Sequence, residues 1–277
     1  MRKIQINNNF FMSNSSEIKF ILGPCQLESR QHAFEICDEI DKLSKKLDFS
    51  YIFKSSYDKA NRTSHKSKRG IGIKKGLNIL SDIKQKYNCP VTSDIHDVSH
   101  CKLVKEHLDL IQIPAFLCRQ TDLIIEAGKT MLPVNIKKGQ FLSPWDVPNI
   151  IKKVLSTGNK SLLLTERGTM FGYNNLVSDM RSLPIMKKTG FPVIFDATHS
   201  VQLPGGNGTY SDGQSEFVDV LAKAAVTTGI SGMFIETHEN PDKAPSDGAN
   251  MVPLKDLGKL IQILMLYDNL SKNKELN

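Results

Sequence analysis

Ser161-Leu-Leu-Leu-Thr-Glu-Arg167, Val193-Ile-Phe-Asp-Ala-Thr-His199 and Gly232-Met-Phe-Ile-Glu236 decide the architecture. Each opens on a run of apolar residues without alternation and then turns polar. A strand buried on both faces reads this way, whereas a strand with one wet face alternates. Working outward, similar runs fall at Phe20–Pro24, Tyr51–Ser55, Val91–Asp94, Leu110–Ile113 and Pro133–Ile136. They join Ser161–Thr165, Val193–Asp196 and Met233–Glu236 to make eight expected strands. Amphipathic stretches with helical period lie between them at Ala33–Leu47, Gly76–Tyr87, Pro148–Leu155, Phe217–Thr228 and Leu254–Tyr267. Alternating strands and helices in this number give a single (β/α)8 TIM barrel over residues 1–277. A doubly wound open sheet is the second choice, weakened because no GxGxxG follows the first strand. The segment Ile4–Asn14 is expected to form a hairpin closing the barrel floor.

The chain's 277 residues suit one barrel, and 40% hydrophobic against 23% charged residues supply a core and argue against disorder. The formal charge of +7 fits anionic partners, but it also fits a Lys-rich solvated surface. The lysines are dispersed rather than blocked, which ranks nucleic acid low. No run approaches the roughly 20 apolar residues of a membrane span, and Met1–Ser16 lacks a leader-like apolar region, so no membrane association is expected. The five cysteines, Cys25, Cys37, Cys89, Cys101 and Cys118, are odd in number and scattered. That is a poor disulfide framework and points to a reducing, cytoplasmic setting.

In such barrels the chemistry gathers where the strands end at their C-termini. The expected ends carry, in order, Cys25; Lys54 and Ser56, followed by Lys59, Asn61 and Arg62; Asp94; Gln112; Lys137; Arg167; His199; and Glu236. Lys54, Lys59, Arg62, Lys137 and Arg167 are cations that would repel at one mouth unless anions fill it. Taken singly, each is equally a solvated side chain or the partner of Asp58 or Glu166. Cys25, His199, Glu236 and, further on, Asp247 offer a thiolate, an imidazole and two carboxylates, a donor set for a divalent transition metal. Cys25 is otherwise a small core residue. The run Leu203-Pro-Gly-Gly-Asn-Gly208 reads either as a phosphate cradle or as the hinge of a mobile loop.

Taken together, the motifs resemble a known family. They are Gly23-Pro-Cys-Gln-Leu-Glu-Ser29, Phe53-Lys-Ser-Ser-Tyr-Asp-Lys-Ala-Asn-Arg-Thr-Ser64, Thr92-Ser-Asp-Ile-His-Asp97, Gln112-Ile-Pro-Ala-Phe116, Asn135-Ile-Lys-Lys-Gly-Gln-Phe141, Thr165-Glu-Arg-Gly168, Asp196-Ala-Thr-His-Ser-Val-Gln202, Phe234-Ile-Glu-Thr-His238 and Ser246-Asp-Gly-Ala-Asn250. In this order they are similar to the 3-deoxy-D-manno-octulosonate 8-phosphate synthases. These transferases condense phosphoenolpyruvate with arabinose 5-phosphate and water, for the Kdo of lipopolysaccharide. The related heptulosonate 7-phosphate synthases are the alternative, and Asn61, inserted into their Lys-Pro-Arg-Thr-Ser pattern, favours the arabinose 5-phosphate reaction. A non-catalytic polyanion-binding module is a third reading.

The resemblance implies roles for these residues. Lys137 and Arg167 would hold the phosphate of phosphoenolpyruvate, with Lys54, Ser56 and Lys59 near its carboxylate. Gln112 and Phe116 would line the pocket. Asn61 would read sugar hydroxyls, Arg62 and Thr63 would hold the aldose phosphate across a subunit boundary in a homotetramer, and Asp94 would assist proton movement. Cys25 stands where the metal-independent form has Asn, so the resemblance implies the metal-dependent form, with Fe, Zn or Mn on Cys25, His199, Glu236 and Asp247. One departure is Ser211-Asp-Gly-Gln-Ser-Glu-Phe217, where the family often has Arg at the position of Ser215 and Gly at that of Asp212.

Overall fold

The structure, a computed structural model, describes residues 1–62, 64–204 and 212–273. An antiparallel hairpin of β1 (Ile4–Asn7) and β2 (Phe10–Met12) precedes the barrel. The chain then runs β3 (Lys19–Gly23), α1 (Arg30–Leu47), β4 (Tyr51–Lys54), α2 (Ile73–Tyr87), β5 (Val91–Asp94), α3 (His100–Val104), β6 (Leu110–Ile113), α4 (Thr121–Lys129), β7 (Val134–Lys137), α5 (Val147–Leu155) and β8 (Leu162–Glu166). A small hairpin, β9 (Thr169–Met170) and β10 (Leu176–Val177), leads to α6 (Ser182–Lys187) and β11 (Val193–Asp196). A second, β12 (Gln202–Leu203) and β13 (Asp212–Gly213), leads to α7 (Val218–Val226), β14 (Gly232–His238), β15 (Val252–Pro253) and α8 (Leu254–Lys272).

Strands β3 to β8, β11 and β14 pair in parallel. Because β11 pairs with β14 and β14 with β3, the sheet closes into an eight-stranded ring and the open-sheet alternative is excluded. All eight expected strands are present, with boundaries within two residues of the expected ones; the largest difference is in β14, which begins at Gly232 and runs on to His238. The sequence reading missed α3, α4 and α6. α3 and α6 have five and six residues, too few turns for a helical period to register, and α6 carries Pro184 as well.

Local chemistry sets the element ends. Ser29 caps α1, its hydroxyl accepting the His32 N–H at 3.0 Å, and Asp48 ends it in the left-handed conformation at φ 56°. Ala33, Ile36, Cys37 and Ile40 form the buried stripe between these caps. The N-terminal hairpin sits on the barrel floor. Met12 is fully buried, and its Cε comes within 2.5 Å of where a Cβ on Gly232 would stand. The Asn14 amide then clamps the start of β11, donating to Phe191 O and accepting from Val193 N–H, both at 2.8 Å.

Candidate active site

Because every barrel strand points the same way, their C-terminal ends share one rim, and a cavity of about 470 Å3 opens there. Lys54, Lys59, Arg62, Lys137 and Arg167 line it against the carboxylates of Asp94, Asp242 and Asp247. Asn61, His96, Phe116, Gln140, His199 and Gln202 complete much of the wall. Thr63 lies outside the described residues, as do all three glycines of the run 203–208.

The five cations divide by partner. Lys54 is buried and neutralised: its Nζ donates to Glu236 Oε1 at 2.9 Å and lies 3.4 Å from Asp94 Oδ2. Lys137 Nζ donates to Asp196 Oδ2 at 2.6 Å and sits 3.7 Å from the centre of the Phe234 ring. The others have no carboxylate partner among the described residues. Arg62 donates to Ser246 Oγ at 2.6 Å and to Pro245 O. Burial works against charging Lys59, but the carboxylates of Glu236, Asp94 and Asp247 that it faces outweigh burial and hold its pKa well above the ordinary lysine range. Arg167 is only 4% exposed; its Nη2 donates to the neutral Gln202 Oε1 at 2.8 Å and its Nη1 finds no partner. Burial lowers its pKa, with Asp196, Asp247 and Glu166 acting the other way.

Ser56 and Gln112 lie beneath the cavity wall rather than on it, both fully buried. They hold Asp94: Ser56 Oγ donates to Oδ2 at 2.5 Å and Gln112 Nε2 to Oδ1 at 2.7 Å. Gln112 is fixed in turn by Asn135, and Asn135 by Thr165, a polar relay across β5, β6, β7 and β8. Burial works against ionising Asp94, but Lys54, Lys59 and Lys137 hold its pKa well below the ordinary carboxylate range.

Barrel closure brings together Cys25, Glu236 and Asp247, which offer ligand atoms within 4.8 Å of one another. Cys25 Sγ donates to Asp247 Oδ2 at 3.0 Å, and Asp247 takes a left-handed backbone, φ 56°, to reach it. Burial, then Glu236, push the Cys25 thiol well above its ordinary pKa. His199 stands beside this group rather than within it, its Nε2 3.6 Å from Glu236 Oε2. That oxygen is buried and has no hydrogen-bond partner among the described residues. A soft sulfur, two carboxylates, an adjoining imidazole and an unpartnered buried oxygen fit a divalent transition metal.

Two site residues escaped the sequence reading. Asp196 ends β11, three residues before His199, the residue expected at that strand end; Asp196 is fully buried and is shared by Lys137 and His199 Nδ1, the latter at 2.8 Å. Gln202 sits inside a quoted motif and links Arg167 to Asp247 Oδ1, to which it donates at 2.9 Å. Of the departing loop positions, Asp212 accepts the N–H of Gly213 at 2.9 Å. Gly213 lies so close to Asn250 that a Cβ would fall 1.6 Å from its Oδ1, which pins this loop base to the segment carrying Asp247.

A (β/α)8 barrel whose mouth combines five cations, two of them buried without a carboxylate partner among the described residues, with a candidate metal group is an enzyme for polyanionic substrates. The chain belongs to the DAHP synthetase I family, which matches residues 2–273. It is 55% identical over 270 residues to the 2-dehydro-3-deoxyphosphooctonate aldolase of Bartonella tribocorum, covering 98% of this chain and 97% of that one. It is also 55% identical over 264 residues to the proteins of the same name from Bartonella quintana and Brucella ovis, covering 95% of each chain in both cases.

Proposed function

We propose that this chain joins phosphoenolpyruvate to arabinose 5-phosphate and water, giving 3-deoxy-D-manno-octulosonate 8-phosphate and phosphate, for the Kdo of lipopolysaccharide. The observation that carries the reading is Arg167, a buried guanidinium with no carboxylate partner among the described residues and one unpartnered nitrogen. Such a group is costly to keep unless an anion occupies the site. Similarity to proteins named for this reaction, over nearly the whole chain, supports the choice of substrates.

In this reading Arg167 and Lys137 grip the phosphate of phosphoenolpyruvate, and Lys59, with Lys54 behind it, faces its carboxylate. Phe116 lines the mouth. Ser56 and Gln112 act by fixing Asp94, which assists proton movement between the attacking water and the aldehyde oxygen that becomes a hydroxyl. Asn61 reads the sugar hydroxyls, and Arg62 with Thr63 holds the aldose phosphate. The enol carbon bonds to the aldehyde carbon, water adds at carbon 2, and phosphate leaves with cleavage of the carbon–oxygen bond. The cations stabilise the charge that develops. Cys25, Glu236, Asp247 and the adjoining His199 would hold a divalent metal, Fe, Zn or Mn, which when bound supplies Lewis acidity toward an oxygen ligand.

Arg62 lines the cavity of its own chain, which supports an aldose phosphate site to which this subunit contributes. A homotetramer is supported by aromatic side chains left exposed on the loops beyond β7 and β8: Trp145 is 68%, Phe171 74% and Tyr173 fully exposed. The cytoplasm fits five free cysteines and the absence, among the described residues, of a helix long and apolar enough to cross a membrane. Phosphate release from phosphoenolpyruvate, measured with arabinose 5-phosphate and with erythrose 4-phosphate, tests the substrate assignment. Light scattering tests the tetramer.

A further inference from the structure

Glu28, His32 and His238 form a second group of candidate ligands, with atoms within 4.8 Å of one another, and none of the three lines the cavity. Glu28 comes three residues after Cys25 and His238 two residues after Glu236, so the same two strand ends serve both groups. His238 is almost wholly buried and His32 largely so, while Glu28 opens toward solvent.

One carboxylate oxygen organises the two rings. Glu239 Oε2 lies 3.0 Å from His32 Nε2 and 3.2 Å from His238 Nδ1. With protons on those nitrogens, Glu239 orients both imidazoles, and the opposite nitrogens present lone pairs toward Glu28. A histidine held by a carboxylate through one nitrogen and free at the other is the usual setting of a metal-binding imidazole. Glu28 Oε1 is 2.9 Å from His238 Nε2 and 3.9 Å from His32 Nδ1. His32 Nδ1 is buried and has no hydrogen-bond partner among the described residues. Its 3.9 Å separation from Glu28 is too long for a hydrogen bond and within the span of two metal–ligand bonds of about 2.0–2.2 Å each. Without an ion, His238 can take its other tautomer, accepting the Asn240 N–H at Nδ1, 3.0 Å away, and donating from Nε2 to Glu28. The two carboxylates, Glu28 and Glu239, match the charge of a divalent cation.

We propose that Glu28, His32 and His238 are the ligands of a second divalent transition-metal site, of the zinc class, with Glu239 orienting both histidines. Two imidazoles and one carboxylate leave one coordination position to water. An ion here ties the loop after β3 to the end of β14, the segments that deliver Cys25 and Glu236.

The test counts zinc. Full-length protein is stripped with chelator, dialysed, and titrated with zinc alone, with bound metal measured by equilibrium dialysis and elemental analysis. Wild type is expected to hold one equivalent more than His32→Gln. Cys25→Ser is expected to keep that equivalent, and His32→Gln added to Cys25→Ser to lose it. Glu239→Gln, at a half-exposed position, should weaken the same equivalent about 10–100-fold without altering the stoichiometry at saturation. Equal stoichiometry and affinity in wild type, His32→Gln and Glu239→Gln would overturn the site. So would loss of the His32-dependent equivalent in Cys25→Ser alone.

Discussion

Arg167 Nη2 donates to Gln202 Oε1 at 2.8 Å, and this neutral amide is the only side-chain acceptor the guanidinium has among the described residues. Gln202 in turn donates to Asp247, so the arginine is aimed without being neutralised. Arg167→Ala is expected to lower kcat/KM for phosphoenolpyruvate at least tenfold to hundredfold, since a charge-assisted contact is worth about 1.5–3 kcal/mol net. Gln202→Leu should give a milder loss, mostly in KM, because the cation stays but loses its aim. Steady-state kinetics with phosphoenolpyruvate varied checks both; near-normal values for Arg167→Ala would remove this residue from the phosphate site.

The paired cations forecast an acid limb in stability. Asp94, Asp196, Glu236 and Asp247 are all held below the ordinary carboxylate range, with burial outweighed by Lys54, Lys59, Lys137 and His199 in different combinations. A carboxylate whose folded pKa is depressed stabilises the fold above its unfolded value of about 4. That contribution is lost as pH falls from about 4 through the lower folded values. Tm should therefore decline on acidification below about pH 4. Asp196→Asn should flatten that decline. It should also lower stability at neutral pH by about 3–5 kcal/mol, because it leaves Lys137 buried beside a neutral amide. Thermal melts of both proteins across pH decide this, and parallel acid limbs would show that Asp196 contributes nothing to the slope.

Asn61 is exposed on the cavity rim, in the motif that separates the two related synthase reactions. Asn61→Ala should raise KM for arabinose 5-phosphate while leaving KM for phosphoenolpyruvate within about twofold, a loss of about 1 kcal/mol or more for one sugar hydrogen bond. Unchanged preference between arabinose 5-phosphate and erythrose 4-phosphate would place discrimination elsewhere, with Phe116 and Arg62 the next residues to change.

Cys25 gives the clearest separation between a metal ligand and a core residue. A chelator should remove activity and a divalent transition metal restore it. Cys25→Asn replaces a soft anionic donor with a neutral amide, so bound metal and activity should both fall, and what remains should respond less to chelator. His199→Ala should be inactive and not rescued by added metal. Full activity of wild type in a preparation shown by elemental analysis to be metal-free would exclude the metal-dependent reading.

Much of this site was legible because a closed barrel converts strand ends, far apart in sequence, into one rim. The runs at Ser161–Thr165 and Val193–Asp196 needed only their lack of alternation to be read as buried strands, and Lys54, Asp94, Lys137 and Arg167 followed from where such strands stop. What the sequence hid was pairing. It could not say that Lys54 and Lys137 are neutralised while Arg167 is not, because that depends on which side chains face one another across the ring. Asp196 was passed over because a strand-ending carboxylate looks ordinary until Lys137 and His199 are both seen to share it. Ser56 and Gln112 looked like rim residues and turned out to brace Asp94 from below, a distinction of depth that one-dimensional spacing does not carry.

The proposed reaction is tested most directly by phosphate release from phosphoenolpyruvate with each aldose, with and without chelator. Arabinose 5-phosphate should support turnover that chelator abolishes and added divalent metal restores, while erythrose 4-phosphate gives little. Equal or faster turnover with erythrose 4-phosphate would contradict the substrate assignment, and no phosphate release with either sugar in the metal-loaded protein would contradict the reaction itself.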